Sequence, residues 1–182
     1  MQRTKTQEMA LCALFAALTA VLSQVAIPIG PVPVNMATIA IFSSGALLGS
    51  RLGALSMLVW VALGVVGVPV FSMFRGGLGI IFGPTGGFIM GYIPAAFLIG
   101  FFVEKWNKRN KIYMYPAAML TGALVYFTMG TLWYMAVSNV GMAEALAVCV
   151  VPFIPGDIAK ITAATLLVHR LRLIMHSVFL LN

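Results

Sequence analysis

Charge is what this sequence has least of. Only 8% of its 182 residues are charged, and just four of them are acidic. Soluble domains carry about 25% charged residues. A chain so poor in charge cannot cover itself with a hydrated surface. With 62% hydrophobic residues and a mean hydropathy of +1.04, it reads as an integral membrane protein. Cysteine is almost missing too. Cys12 and Cys149 each sit among apolar neighbours, with no second Cys or His at ligand spacing, so neither a disulfide nor a metal site is expected. His169 and His176 stand seven apart with no acidic residue close in sequence. No nucleophile–base–acid set is visible, so no catalytic residues are assigned. No GxxxxGK(S/T) loop occurs, so the chain by itself cannot use ATP through a P-loop.

The few charges divide the chain into long neutral runs. None falls between Glu8 and Arg51, Arg51 and Arg75, Arg75 and Glu104, or Lys111 and Glu144. A membrane-spanning helix needs roughly 20 apolar residues. The runs hold two, one, one and one such helices, and the tail after Pro155 adds another. The pattern predicts an all-α membrane protein of six transmembrane helices, with residues 1–182 as one domain. The start MQRTKTQ resembles a signal-peptide n-region, but the apolar run behind it is too long for an h-region and lacks a cleavage site. It is read as the first span.

A net charge of +7 invites a nucleic-acid reading, which the placement of the cations opposes. Arg3, Lys5, Arg51, Lys105, Lys108, Arg109, Lys111, Arg170 and Arg172 all fall on one side of a six-helix chain whose termini are cytoplasmic. Arg75 alone lies outside, and Lys160 falls within a span. This is the positive-inside bias. Some of these cations are placed to touch anionic membrane lipid.

The first helix is expected from about Gln7 to Ile27. Ala13 and Ala17, like Ala16 and Ala20, stand one turn apart and share a face. Small faces of this kind serve either internal packing or the docking of another subunit. Pro28, Pro31 and Pro33 make the following stretch an extended outer loop. Helix two is expected over Met36–Gly49 and helix three over Ala54–Val66, with a tight turn around Arg51. Helix four starts near Gly86 or Gly87, capped by Thr85, and ends before Glu104. Helix five covers Pro116–Val137. SNVGMAEA, around Glu144, reads as an outer loop, and the last helix opens at PFIPGDIAK. Trp133 and Tyr134, near the outer end of helix five, fit an aromatic belt or a ligand wall.

Two features point to a site. Asp157 and Lys160 stand three apart, on one helical face, about a turn inside the membrane. Ionisable residues there are costly and usually functional, although a mutual ion pair would also account for them. The stretch Gly64–Tyr92 holds nine of the 18 glycines and two prolines. It is too apolar for a solvated loop and too rich in glycine and proline for one helix. Irregular backbone survives in a bilayer only when buried in protein or lining a cavity, so this stretch reads as a re-entrant or capping segment over a small ligand. GGLGIIFG lacks the third glycine of GxGxxG and follows no strand, so a dinucleotide loop is rejected. Asn35, Arg75, Thr85, Asp157 and Lys160 converge on the outer side: a binding site without an engine. No inverted repeat supports a rocker-type carrier.

The runs GPVPVN, GVVGVPVF, GGLG, GPTGGFIMGY and PFIPGDIAK resemble the BioY family, the biotin-specific S components of energy-coupling factor (ECF) transporters. The likeness extends over nearly the whole chain. It implies six helices with long outer loops closing over the vitamin, and biotin as the transported ligand with no cofactor. It also implies as partners an ECF coupling protein, docked on Ala13 and Ala17, and two ATPase subunits, with import by toppling of the loaded subunit. Some members of the family are reported to transport biotin alone. Two departures stand out. Asn35 and Ala37 stand where many relatives carry Thr and Gln, and Phe88 replaces a common Tyr and so offers no hydroxyl.

Biotin's chemistry fits these residues. Asp157 accepts from a ureido N–H and Lys160 donates to the ureido carbonyl. Phe71, Phe74, Phe88, Tyr92 and Trp133 are available as apolar walls. Arg75, or backbone N–H groups of a glycine segment that includes Gly76, Gly79, Gly86 and Gly87, meets the valerate carboxylate. The reverse pairing, with Lys160 on the carboxylate, stays open. So do two other readings: a self-sufficient facilitator or carrier using Asp157 as its proton site, and a structural subunit held by an Asp157–Lys160 pair.

Overall fold

The computed structural model describes residues 4–107 and 111–180, with side chains as far as residue 174. Arg3, Lys108 and Arg109 lie outside the described residues, as does the side chain of His176. The regular structure of the described chain is helical apart from a two-strand hairpin, with irregular segments between the elements. Helix α1 (Lys5–Gln24) starts two residues ahead of the sequence expectation because of a capping box. The Thr4 hydroxyl accepts from the Gln7 amide at 3.3 Å, and Gln7 Oε1 accepts from the Thr4 amide at 3.1 Å. The helix stops short of Ile27 because β1 (Ala26–Ile27) pairs antiparallel with β2 (Val34–Asn35) around the prolines. Along α1, Ala16 is buried, whereas Ala13 and Ala17 are exposed beside Leu14 and Leu18. Internal packing thus claims only part of the alanine stripe.

Helices α2 (Ala37–Leu48) and α3 (Ser50–Val65) are joined at Gly49, whose φ of 91° suits a residue without Cβ. Arg51 therefore sits inside α3, not in the turn, and α3 begins four residues before the expected Ala54. The cause is remote in sequence. Glu104 accepts from the Ser50 amide at 2.9 Å and from the Ser50 hydroxyl at 2.8 Å, and so caps the start of α3. Glu104 belongs to α5 (Gly86–Trp106), which runs past the expected end and carries Pro94 in its interior. Small residues draw the helices together. A Cβ on Gly45 would come within 2.5 Å of the Ala96 carbonyl oxygen, and one on Gly53 within 2.9 Å of Gly45 Cα.

Helix α2 is buried on nearly every side, between α1, α3, α5 and α8. Helix α6 (Met114–Ser138) lies along α5. The stretch around Glu144 is not the expected loop. It forms α7 (Met142–Cys149), with Glu144 in the first turn, where a carboxylate favours helix start. α7 meets α8 (Ile154–Leu180) at a bend of 46°. A further short helix, α4 (Leu78–Ile81), forms within the glycine-rich segment. The two short helices bring the described total to eight, where six are expected. α1, α5 and α6 are each long and apolar enough to cross a bilayer, and the bent α7–α8 pair passes the same test together. α2 and α3, at 12 and 16 residues, are apolar but shorter.

Candidate functional site

The C-terminal half of α3, the N-terminal turns of α2, α5 and α8, and the middle of α6 meet at one end of the bundle. They surround a cavity of about 50 Å³. That is several times what one water needs. Segment 66–85, the lid, adds Phe71, Ser72, Arg75, Ile80 and Thr85 to its lining. The irregular backbone of this lid is satisfied by side chains from three helices. Ser23 of α1 and Trp60 of α3 both donate to the Val70 carbonyl, at 2.6 and 3.1 Å. Trp133 of α6 donates to the Gly83 carbonyl at 2.9 Å. Side-chain donors thus replace the water that the irregular backbone of this segment lacks.

The polar end of the cavity is built on α8. Asp157 is 4% exposed and Lys160 5%, and their one-turn spacing brings Lys160 Nζ within 3.0 Å of Asp157 Oδ1. The hydroxyl of Tyr126, on α6, donates to Asp157 Oδ2. Two buried charges are tolerated only when paired and hydrogen-bonded, and here both conditions hold. The pair is an ion pair, and it also faces the cavity. Each carboxylate oxygen keeps a lone pair beyond the bond described, and the ammonium has three donors of which Asp157 takes one. Thr38, on α2, lines the same space, and its buried hydroxyl has no partner among the described residues. The site therefore offers both acceptors and donors to a polar ligand group.

The walls are aromatic. Phe88 stacks on Phe153, with ring centroids 6.0 Å apart and planes 13° apart. Trp60 meets Phe71 edge-on at 5.1 Å, and Tyr92 meets Tyr126 at 5.5 Å. At the lid side, Arg75, Ser72 and Thr85 line the space.

Of the residues singled out from sequence, Asn35, Phe71, Arg75, Thr85, Phe88, Tyr92, Asp157 and Lys160 line the cavity together. Asn35 is engaged at both ends of its amide: it donates to the Ser72 hydroxyl at 2.7 Å and accepts from the Ala37 amide at 3.0 Å. Thr85 precedes α5 but makes no side-chain cap. Its backbone is already helical there, which points the hydroxyl away from the first-turn amides.

Others are placed elsewhere. Phe74 is 74% exposed, turned outward by a left-handed backbone with φ of 56°. Gly76, Gly86 and Gly87 are packing positions. A Cβ on Gly76 would strike the Val68 carbonyl, one on Gly86 the Ile81 carbonyl, and one on Gly87 Trp133 and the Met129 carbonyl. Gly79 lies in α4, away from the cavity lining. Trp133 holds the lid rather than a wall. Tyr126, Thr38, Trp60, Ser72 and Phe153 escape the sequence reading. The signal for Tyr126 is a hydroxyl in mid-helix within a neutral run, since a buried phenol needs a partner.

Comparison with known proteins agrees with this fold. The chain is 38% identical over 168 residues to the probable biotin transporter BioY of Pyrococcus horikoshii, covering 92% of this chain and 98% of that one. It is 39% identical to the biotin transporter BioY of Rhodobacter capsulatus, covering 86% and 88% of the two chains. The fold superposes with a TM-score of 0.87 on a crystal structure of the S-component for biotin from an ECF-type ABC transporter. That structure is 30% identical and is matched over 94% of this chain and 95% of the other. A family model described as "BioY family" matches residues 1–177. With the fold and nearly the full length in agreement, the chain belongs to the BioY family.

Proposed function

We propose that this chain is the biotin-binding S component of an ECF-type uptake transporter in the plasma membrane of a prokaryote. The observation that carries the reading is the buried Asp157–Lys160 pair at the end of an aromatic, lidded cavity, in a chain whose relatives are named biotin transporters. A ureido ring has two N–H donors and one carbonyl acceptor. Asp157 takes an N–H, and Lys160 donates to the carbonyl. The bicyclic ring and valerate chain lie between Phe71, Phe88, Tyr92 and Phe153. Arg75, the cation of the lid, receives the carboxylate.

Six helices cross the membrane, with α2 and α3 as short spans and α7–α8 as one bent span. Both termini are cytoplasmic. Among the described cations Lys5, Arg51, Lys105, Lys111, Arg170 and Arg172 stand towards the end opposite the cavity, which supports that orientation. The exposed pair Ala13 and Ala17 supports docking of a coupling protein, with two ATPases supplying the energy. Equilibrium binding of biotin to the purified chain tests the reading. Tight one-to-one binding is expected, and a wild-type protein that binds no biotin would overturn it. In vesicles with the ECF module, uptake is expected to need ATP and to vanish when Ala13 and Ala17 are replaced by Leu, with binding retained.

A further inference from the structure

The lid turn that carries Arg75 is held from outside the cavity. The Phe71 amide donates to the Arg75 carbonyl at 2.9 Å and the Arg75 amide to the Phe71 carbonyl at 3.3 Å, which closes a tight loop over Ser72, Met73 and Phe74. Met73 and Phe74 follow each other at φ of 63° and 56°. Two consecutive left-handed residues with side chains are disfavoured, and such a turn persists only where its surroundings hold it. The exposed ring of Phe74 supplies no packing. Its amide does find a partner: it donates to Gln24 Oε1 at 2.8 Å. The Gln24 amide group is fixed in turn, since Nε2 donates to the Ala20 carbonyl and the Ser23 hydroxyl, both at 3.0 Å. Gln24 is the last residue of α1 and does not line the cavity.

We infer that Gln24 is a positioning residue for ligand binding. It latches the strained turn to the end of α1 and so sets Arg75, Ser72 and Phe71 over the site. The inference rests on the biotin reading above. Gln24→Ala frees the turn to relax, so the lid cation loses its place while the Asp157–Lys160 end stays intact. Two features separate this from general loosening. The loss should be concentrated on the carboxylate end of the ligand. It should also be reversed by a residue that tolerates the left-handed backbone, since Asn adopts it more readily than Phe.

The test is equilibrium binding to the purified full chain in detergent, with biotin and biotin methyl ester as probes. Gln24→Ala is expected to bind biotin about tenfold more weakly, the scale of one hydrogen bond, and to bind the ester within about twofold of wild type. Gln24→Ala combined with Phe74→Asn should recover most of the biotin affinity. Gln24→Glu, which keeps the acceptor for the Phe74 amide, should bind more tightly than Gln24→Ala. If wild type binds biotin and Gln24→Ala binds it equally well, the latch is wrong. Equal loss for biotin and ester with no recovery by Phe74→Asn also overturns it. A wild type that binds no biotin overturns the proposed function itself, and this inference with it.

Discussion

Tyr126 on α6 donates its hydroxyl to Asp157 Oδ2 on α8, across 31 positions of sequence. The bond ties two helices at the buried end of the cavity and orients the carboxylate whose other oxygen holds Lys160 at 3.0 Å. Hydrogen bonds to charged groups contribute about 1.5–3 kcal/mol. Tyr126→Phe keeps the ring and its contacts with Tyr92 and Phe127, so the fold should survive. Biotin affinity should fall by roughly tenfold or more, measured by calorimetry. Unchanged affinity would mean that Lys160 alone orients Asp157.

The Asp157–Lys160 pair has two roles that mutation can separate. Removing one member leaves a buried charge uncompensated, at a cost of about 3–5 kcal/mol. Asp157→Leu and Lys160→Met should each lower both thermal stability and binding. Combined with Tyr126→Phe, which spares the phenol the loss of its acceptor, they replace the cluster by apolar side chains, which often restores stability. The triple variant should therefore melt near wild type and bind no biotin. A triple variant that still binds would reduce the pair to a structural brace.

Thr38 makes a prediction of opposite sign for stability and binding. Its hydroxyl is buried against the cavity without a partner among the described residues. A buried unpaired hydroxyl costs about 1–3 kcal/mol, so Thr38→Val, which keeps the shape, should leave ligand-free stability equal or higher. If the ligand supplies the missing hydrogen bond, affinity should fall by about two- to tenfold, and Thr38→Ser should retain it. Paired melting curves and binding isotherms check both signs. Equal affinity for Thr38→Val would remove this residue from the site.

Neutral runs, prolines and isolated charges carry much of this fold in plain view. Asp157 and Lys160 are legible because ionisable groups stand out in an apolar helix. What escapes depends on partners far along the chain. Ser50 starts α3 because Glu104 caps it from 54 positions away, so Gly53 and Arg51 read locally as a turn. Tyr126 gains its role only from Asp157, on a different helix. Phe74 reads as a ligand wall from composition, yet its φ turns it outward. The glycines of the lid mislead most. Several of them serve close approach between backbones, and spacing alone does not distinguish that use from contact with a ligand.

Two glycines of the stretch Gly64–Tyr92 give opposite outcomes. A Cβ on Gly87, in the first turn of α5, would meet the Met129 carbonyl oxygen of α6 at 2.7 Å and press on Trp133. Backbone cannot yield as a side-chain end can, so Gly87→Ala should force α5 off α6 at a cost of about 1–3 kcal/mol. It should also disturb the Trp133 bond to the Gly83 carbonyl that secures the lid. Around Gly79, in α4, a Cβ meets nothing within 4 Å. Alanine there favours helix by up to about 1 kcal/mol, so Gly79→Ala should be neutral or slightly stabilising. Cys12 and Cys149 are both free and buried, so a thiol-reactive fluorophore reports unfolding of either variant directly. The Gly87→Ala protein should label at a markedly lower temperature than wild type and the Gly79→Ala protein should not. Equal melting of the two variants would show that α5 and α6 have slack at this crossing.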